Sequence, residues 1–410
     1  MNLAFAILDI MRIGIDLRPL QAETKHRGIG KALEFFLKEV ASSDANDDFV
    51  FYIDGNVQRP PIIDSFPQAK IIYFNSRSIT RKKYIRSVTN PWRQLAVDAA
   101  DIDVLLQYDA ALGIPKNIPT VVIFHDLIPY LFHDEEKKAA KTDSFKRTLK
   151  NRLAGTAYWH QYNRFLKRYK LAATVIAISD SSKNDYINHF EIPKNQRIVT
   201  VPHGVEDSFF VTRPQKISSD LSRSVTKPYF FYVGGIDYRK NISGLLEDFL
   251  KVRQNHDVQL VLAGKEFALQ DQLDDLGWKD AMREHPEFES DIIRPGFVSH
   301  EDLIALLSNA AAFVFPSRYE GFGMPLLEAM ATNCPVITYG NSSLQEVVGN
   351  TGMIIPDGES FTPAMEQAIT QPKSFRKNIP QARLRAQEFT WHETKKAILK
   401  EIHRYRNDAE

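Results

Sequence analysis

The chain has a single cysteine, Cys334, in 410 residues, which excludes an internal disulfide framework and fits a reducing compartment. It has no apolar run near the roughly 20 residues that a membrane-spanning helix needs. The opening MNLAFAILDI is apolar but lacks a basic flank, contains Asp9 and leads straight into another strand-like stretch. It is therefore not expected to act as a signal peptide, and Met11, just ahead of RIGIDL, is read as an alternative start. Neither charge sign is in excess: 52 basic against 51 acidic residues leave a formal net charge of +1. Global charge thus points to no polyanion, and no nucleic-acid partner is expected. Internal repeats, low-complexity tracts and His/Cys clusters with zinc spacing are missing as well. These absences together predict a soluble, cytoplasmic protein.

What is present is the pattern of parallel α/β domains. Apolar residues make up 43% and charged residues 25% of the chain, a globular composition, and the length suits two domains. Short β-branched runs alternate with helix-length amphipathic segments. In the first half, strands are expected at 12–16, 49–53, 71–74, 104–107, 120–124 and 174–178, with a long, largely helical stretch at about 135–169. The apolar pattern breaks near 198–204 (IVTVPHG), and a polar segment runs on to Pro228. A second series follows, with strands at 229–233, 259–263, 292–295, 312–315 and 336–338. Helices are expected at 242–253 and 325–331, and another capped by Ser299 with Asp302 three residues on. The tail 390–406 is helical in period. This predicts an N-terminal Rossmann-like domain over 1–205, a C-terminal one over 206–389, and a terminal helix, 390–410, packing back on the first. In such open parallel sheets a ligand belongs outside the carboxyl ends of the strands, here in a central cleft that the two sheets face.

The stretch 313–338, FVFPSRYEGFGMPLLEAMATNCPVIT, carries the most chemistry. A buried strand ends at Pro316, a loop holds Glu320, Gly321, Phe322 and Gly323, and a helix starts at Pro325, a residue suited to a first helical turn. The glycines allow close backbone approach. Free N–H groups around Gly323, Met324 and Leu326 would sit at the positive end of the helix dipole, an anion site. A carboxylate at Glu328 can accept both hydroxyls of a ribose, and Glu320 can meet sugar hydroxyls. Either glutamate alone reads more readily as a solvated residue or a cap, and it is the whole constellation that points to a ligand. Upstream, YVGGIDYRKN places Arg239 and Lys240 just past a strand end, where two cations can neutralise a diphosphate. A plain solvated Arg-Lys pair is the alternative, though the dipole disfavours cations at a helix start.

With these motifs the sequence resembles the family 4 retaining glycosyltransferases of the GT-B fold, whose hallmark is two glutamates separated by seven residues, here Glu320-GFGMPLL-Glu328. The resemblance covers nearly the whole chain. The loop Gly28-Ile29-Gly30, the strand VVIFHD, VPHGV, YVGGIDYRKN, LAGK and GFVSHEDL appear in the expected order. It implies a diphosphate contact for Lys240, with Arg239 in support at the turn that opens with Gly234 and Gly235. Many members carry an arginine where this chain has Gly235, which leaves a second diphosphate contact open. It implies that His125 lies beside the transferred sugar, its carbonyl near the anomeric carbon and its ring near a hydroxyl, with Asp126 a local brace. It implies that Gly28 and Gly30 close over donor phosphate or acceptor, and that Gly264, Lys265, Phe297 and Val298 hold ribose or base edges.

The resemblance further implies a hexosyltransferase that keeps the donor's anomeric configuration. The expected donor is a nucleotide sugar (GDP-mannose by likeness to bacterial mannosyltransferases) and the acceptor a glycan or lipid-linked glycan in surface polysaccharide assembly. No cofactor and no metal are expected. Asp101-Ile102-Asp103 spells a metal-binding DxD but precedes a buried strand instead of ending one, and is read as a cap or turn. Basic residues from Lys137 to Lys170, interleaved with Phe145, Leu149, Trp159, Tyr162 and Phe165, together with RKKYIR within 77–86, fit either an anionic membrane surface or an ordinary solvated helix. A sugar-nucleotide epimerase, a phosphorolytic enzyme and a non-catalytic sugar-nucleotide-binding subunit are the rival readings.

Overall fold

A computed structural model describes residues 10–22, 28–43, 47–74, 101–110, 114–115, 117–132, 163, 166–269 and 278–406. Within it the chain forms two compact units. The first comprises Met1–Leu127, Lys137–His203 and Trp391–Glu410, the second Ile128–Glu136 and Gly204–Thr390. The basic stretch at 77–86 and nearly all of the expected helix at 135–169 lie outside the described residues. Lys167–Leu171 at its end is a 3-10 turn.

The first unit holds a seven-stranded sheet: β1 (Arg12–Asp16), β2 (Asp48–Asp54), β3 (Lys70–Phe74), β4 (Val104–Gln107), β5 (Thr120–Phe124), β6 (Thr174–Ala177) and β7 (Arg197–Thr200). Its order is β3-β2-β1-β4-β5-β6-β7, and every neighbouring pair is parallel. β7 corrects the expectation that the pattern simply breaks near 198–204. As an edge strand it is half-buried at three of its positions and exposed at Arg197, so it lacks the apolar run that marks the central strands. β4 and β5 are buried at every position, because crossover helices cover both faces of a parallel sheet. Helix α1 (Gly28–Ala41) buries Leu33, Phe36, Leu37 and Val40 at helical spacing. Helix α2 (Asp180–His189) starts where Ser179 accepts the Ser182 N–H at 2.9 Å.

The C-terminal helix Trp391–Ile402 belongs to this unit. Trp391 packs on Phe35 of α1 with ring centroids 5.2 Å apart. Arg197 grips Glu401 with two hydrogen bonds of 2.5 and 3.1 Å, and Tyr405 bonds Thr174 at 2.6 Å. The helix thus packs against α1 and is tied to β7 through Arg197.

The second unit holds a six-stranded parallel sheet: β8 (Tyr229–Val233), β9 (Gln259–Ala263), β10 (Ile292–Gly296), β11 (Ala312–Phe315), β12 (Val336–Tyr339) and β13 (Met353–Ile355). The order is β10-β9-β8-β11-β12-β13. Helix α3 (Ile242–Arg253) follows β8. Helix α4 (His300–Asn309) is capped by Ser299, which accepts the Asp302 N–H at 3.1 Å. The Asp302 carboxylate does not complete a capping box; it accepts the Ser218 N–H at 3.1 Å. Helix α5 (Met324–Ala331) follows β11. In each sheet the order reverses once, between β1 and β4 and between β8 and β11. Such a switch point opens a crevice at the carboxyl ends of the strands.

Candidate active site

In the second unit, the chain leaving β8 and the chain leaving β11 meet at the switch point. After β8 a 3-10 turn, Tyr238–Lys240, carries the two cations, and Asn241 ends it in the left-handed region with φ +50. After β11 the loop carries Ser317 and Glu320. One oxygen of Glu320, Oε1, accepts from Lys240 Nζ at 2.5 Å, from Ser317 Oγ at 2.5 Å and from Arg239 Nη1 at 2.8 Å. Lys240 and Glu320 are both 8% exposed, and Ser317 is fully buried. Phe315 backs the ammonium, its ring centroid 4.8 Å from Nζ. Burial by itself would push the Glu320 carboxyl up, but Lys240 and Arg239 outweigh it and hold the group below the usual carboxylate range. Burial draws Lys240 down from the ordinary lysine value, and Glu320 only partly restores it. The cations expected to face a diphosphate therefore have an internal counter-ion, which the sequence did not reveal.

The Glu320 backbone is pinned as firmly as its side chain. Its N–H donates to Ser342 Oγ at 3.0 Å, and the Ser343 hydroxyl lies 2.9 Å from the Glu320 carbonyl and 2.8 Å from that of Phe322. Ser317, Ser342 and Ser343 escaped sequence reasoning because two of them reach the loop from beyond β12, across more than 20 residues. The only local signal was a polar Asn-Ser-Ser run after a buried strand.

Gly323 caps α5 with φ +104, a left-handed geometry that favours glycine. The N–H groups of Gly323 and Met324 have no hydrogen-bond partner among the described residues. Leu326 corrects the expectation: its N–H donates to the Gly323 carbonyl at 3.0 Å, closing the first turn, so it is not free for an anion. Phe322 also departs from the expected ligand contact at its side chain, which is buried against Phe389 with centroids 5.9 Å apart. Gly321 is buried beside it, and Glu328 is half-buried one turn into α5.

Three strand-end glycines lie side by side. Gly234 N–H donates to Ala263 O at 3.1 Å and Gly264 N–H to Gly296 O at 2.8 Å. A Cβ on Gly264 would stand 2.2 Å from the Gly234 carbonyl oxygen, so glycine is required there by strand packing. Gly235 is different: a Cβ there would meet only Asp237 Oδ2, at an ordinary 3.7 Å. Its carbonyl is held by the Tyr232 hydroxyl at 2.7 Å. Lys265 is exposed, Val298 half-buried and Phe297 81% exposed, each just past the end of its strand.

In the first unit, His125 ends β5. Its Nε2 lies 2.9 Å from the Tyr108 carbonyl, which can only accept, so Nε2 carries the proton and Nδ1 keeps a lone pair. Burial lowers its pKa to about 4, leaving the ring neutral. The His125 carbonyl accepts from the fully buried Ser182 hydroxyl at 2.7 Å. The ring of His203, from VPHGV, lies 5.7 Å from that of His125, tilted by 44°. Burial drives its pKa well below that of an ordinary histidine, and repulsion from His125, once that ring is protonated, adds to it. Gly28 and Gly30 form the first turn of α1, Gly28 exposed and Gly30 buried. At the end of β1 sits a buried pair absent from the sequence reading, Arg18 gripping Asp16 with bonds of 2.8 and 2.6 Å. The DxD is occupied: Asp103 accepts the Arg12 N–H at 2.7 Å and Asp101 pairs with the Arg12 guanidinium.

A family model described as Glycosyltransferase Family 4 matches residues 59–209, and one described as Glycosyl transferases group 1 matches residues 215–385. The chain is 26% identical over 419 residues to the serotype-specific mannosyltransferase WbdA of Escherichia coli, covering 94% of this chain and 47% of that protein. It is 32% identical over 232 residues to the O-antigen chain mannosyltransferase B of Escherichia coli, covering 54% of this chain and 58% of the relative. The chain thus spans about half the length of these curated relatives. Among solved structures, sucrose-phosphate synthase from Thermosynechococcus elongatus superposes with a TM-score of 0.70 at 19% identity, over 98% of this chain and 100% of the other. That likeness speaks for the fold.

Proposed function

The chain belongs to the family 4 glycosyltransferases of the GT-B fold, and from that premise we propose that it is a retaining hexosyltransferase. It takes a nucleotide sugar, GDP-mannose by the kinship with mannosyltransferases, and passes the hexose to a glycan or lipid-linked glycan in surface polysaccharide assembly. The observation that carries this reading is the meeting of Lys240, Arg239, Glu320 and the open amides of Gly323 and Met324 around one switch point. That set offers cations and N–H donors to a diphosphate and a carboxylate to sugar hydroxyls.

In this reading Lys240, Arg239 and the start of α5 stabilise the diphosphate as the bond from the anomeric carbon to its oxygen breaks. The acceptor oxygen bonds that carbon from the same face, and its proton passes to the departing phosphate oxygen. Glu320 orients the sugar and Glu328 takes the ribose hydroxyls. His125, neutral and with Nδ1 open to a donor, takes a sugar hydroxyl. Gly234, Gly235, Gly264, Lys265, Phe297 and Val298 line the nucleotide. The reaction needs no cofactor or metal. We place the protein in the cytoplasm, in peripheral contact with an anionic membrane surface. Exposed Lys167 and the 67% exposed Leu171 support that contact, and flotation with vesicles containing or lacking anionic lipid tests it. No helix among the described residues is long and apolar enough to cross a membrane.

The test of the activity is release of nucleoside diphosphate from GDP-mannose, UDP-glucose, UDP-GlcNAc and dTDP-rhamnose, with proton NMR of the anomeric signal in the product. Binding without turnover of any donor would leave only a binding subunit, and an inverted anomer would remove the retaining mechanism.

A further inference from the structure

We propose that Glu320 is an internal competitor of the diphosphate for Lys240 and Arg239, and that this competition makes the site discriminate the spent nucleoside diphosphate from the nucleotide-sugar donor. The inference rests on the reading of this site as a nucleotide-sugar site. A carboxylate and a diphosphate are both acceptor-only anions, and here they would call on the same donors. Lys240 Nζ and Arg239 Nη1 converge on Glu320 Oε1 at 2.5 and 2.8 Å. Other contacts already hold the guanidinium, with Nε on Asp237 at 3.0 Å and Nη1 also 3.2 Å from the Tyr319 carbonyl. Lys240 is 8% exposed and Phe315 backs its ammonium, so the group has little room to turn to a new anion while keeping the old one.

A diphosphate must therefore displace the carboxylate. Once displaced, Glu320 keeps only the Ser317 hydroxyl on Oε1, while Oε2 has no partner among the described residues. A largely buried carboxylate that loses both cations and stands beside a polyanion is unfavourable. A nucleotide sugar removes that penalty because its hydroxyls donate to Glu320 as the cations let go. The product diphosphate brings no such hydroxyls. After transfer, Glu320 returns to Lys240 and Arg239 and drives the product out.

The measurement is calorimetric titration of the full chain with inorganic pyrophosphate, GDP, UDP and GDP-mannose, at fixed pH and ionic strength. Glu320→Gln should bind pyrophosphate and the preferred nucleoside diphosphate about tenfold more tightly than wild type, the scale on which a close charge partner acts. It should not gain for the nucleotide sugar. Asp237→Asn removes an equal charge beside the same Arg239 and should change pyrophosphate affinity by less than about threefold. Should the glutamine variant fail to fold, Glu320→Asp, with its charge drawn back by one methylene, is read instead and should tighten pyrophosphate by about threefold. Unchanged or weakened pyrophosphate binding, or equal tightening in Asp237→Asn, overturns the proposal. If Lys240→Ala loses diphosphate binding while Glu320→Gln gains none, this inference alone falls. If wild type binds neither GDP nor UDP, the reading of the site falls with it.

Discussion

The ammonium of Lys240 and the carboxylate of Glu320 meet at 2.5 Å with each residue 8% exposed, so a cation at the switch point is neutralised from within the protein. Removing the cation should therefore affect chemistry more than folding, because Arg239 and Ser317 still hold the carboxylate. Lys240→Ala is expected to lower turnover about 10²-fold or more, the scale of losing one preorganised contact to developing charge. A thermal melt must show the variant folded. Donor turnover at the wild-type rate in a folded Lys240→Ala protein would strip the residue of its assigned role.

Two neutral histidines make the first unit acid-sensitive. His125 titrates at about 4 and His203 well below its ordinary value, both chiefly through burial. An unfolded histidine titrates near 6.5, so as pH falls below that point the unfolded chain binds protons that the native one refuses. The stability these groups allow is complete above about pH 6.5 and declines as pH falls through the window from about 6.5 to about 4. The unfolding midpoint should drop on going from about pH 7 to about pH 5, and drop less in His203→Asn, which cannot charge. Parallel pH profiles for the two proteins would show that His203 is not the group responsible.

The contact between Gly264 and Gly234 sets a different limit. An added Cβ at Gly264 meets a backbone oxygen at 2.2 Å, and its φ of +151 is itself hard for an L side chain. Neither strand end can yield without disturbing Gly264 N–H to Gly296 O. Gly264→Ala should cost about 2–4 kcal/mol, read from the midpoint of urea unfolding. A midpoint equal to wild type would mean that the adjoining ends of β8 and β9 are softer than the packing implies.

Legibility from sequence followed burial. β8, β9 and β11 could be placed to the residue because central parallel strands are continuous apolar runs with polar ends. β7 and β13 are not legible in the same way, since an edge strand and a three-residue strand carry little of that signal. In the site, the residue types were readable but their partners were not. Nothing local links Lys240 to Glu320 across 80 positions, or Ser182 to the His125 carbonyl across 57. The Leu326 amide is not open as a helix start alone would imply, because the tight turn at Gly323 takes its N–H.

Gly235 is where the family resemblance implies an arginine, and the structure says what glycine leaves there. A Cβ at this position meets nothing closer than Asp237 Oδ2 at 3.7 Å, so no packing requires glycine. The Gly235 carbonyl, not its α-carbon, is what Tyr232 holds. Gly235→Arg should therefore keep stability within about 0.5 kcal/mol of wild type. It also adds a guanidinium beside Lys240 and Arg239, whose only acidic neighbour from the same turn is Asp237. A charge-assisted hydrogen bond to a diphosphate should tighten nucleoside diphosphate binding by about tenfold, measured by calorimetry. Because the gain falls on the diphosphate and not on the sugar, it should slow product release and lower kcat at saturating donor. A stable Gly235→Arg protein with unaltered diphosphate affinity would place the anion elsewhere than against this turn.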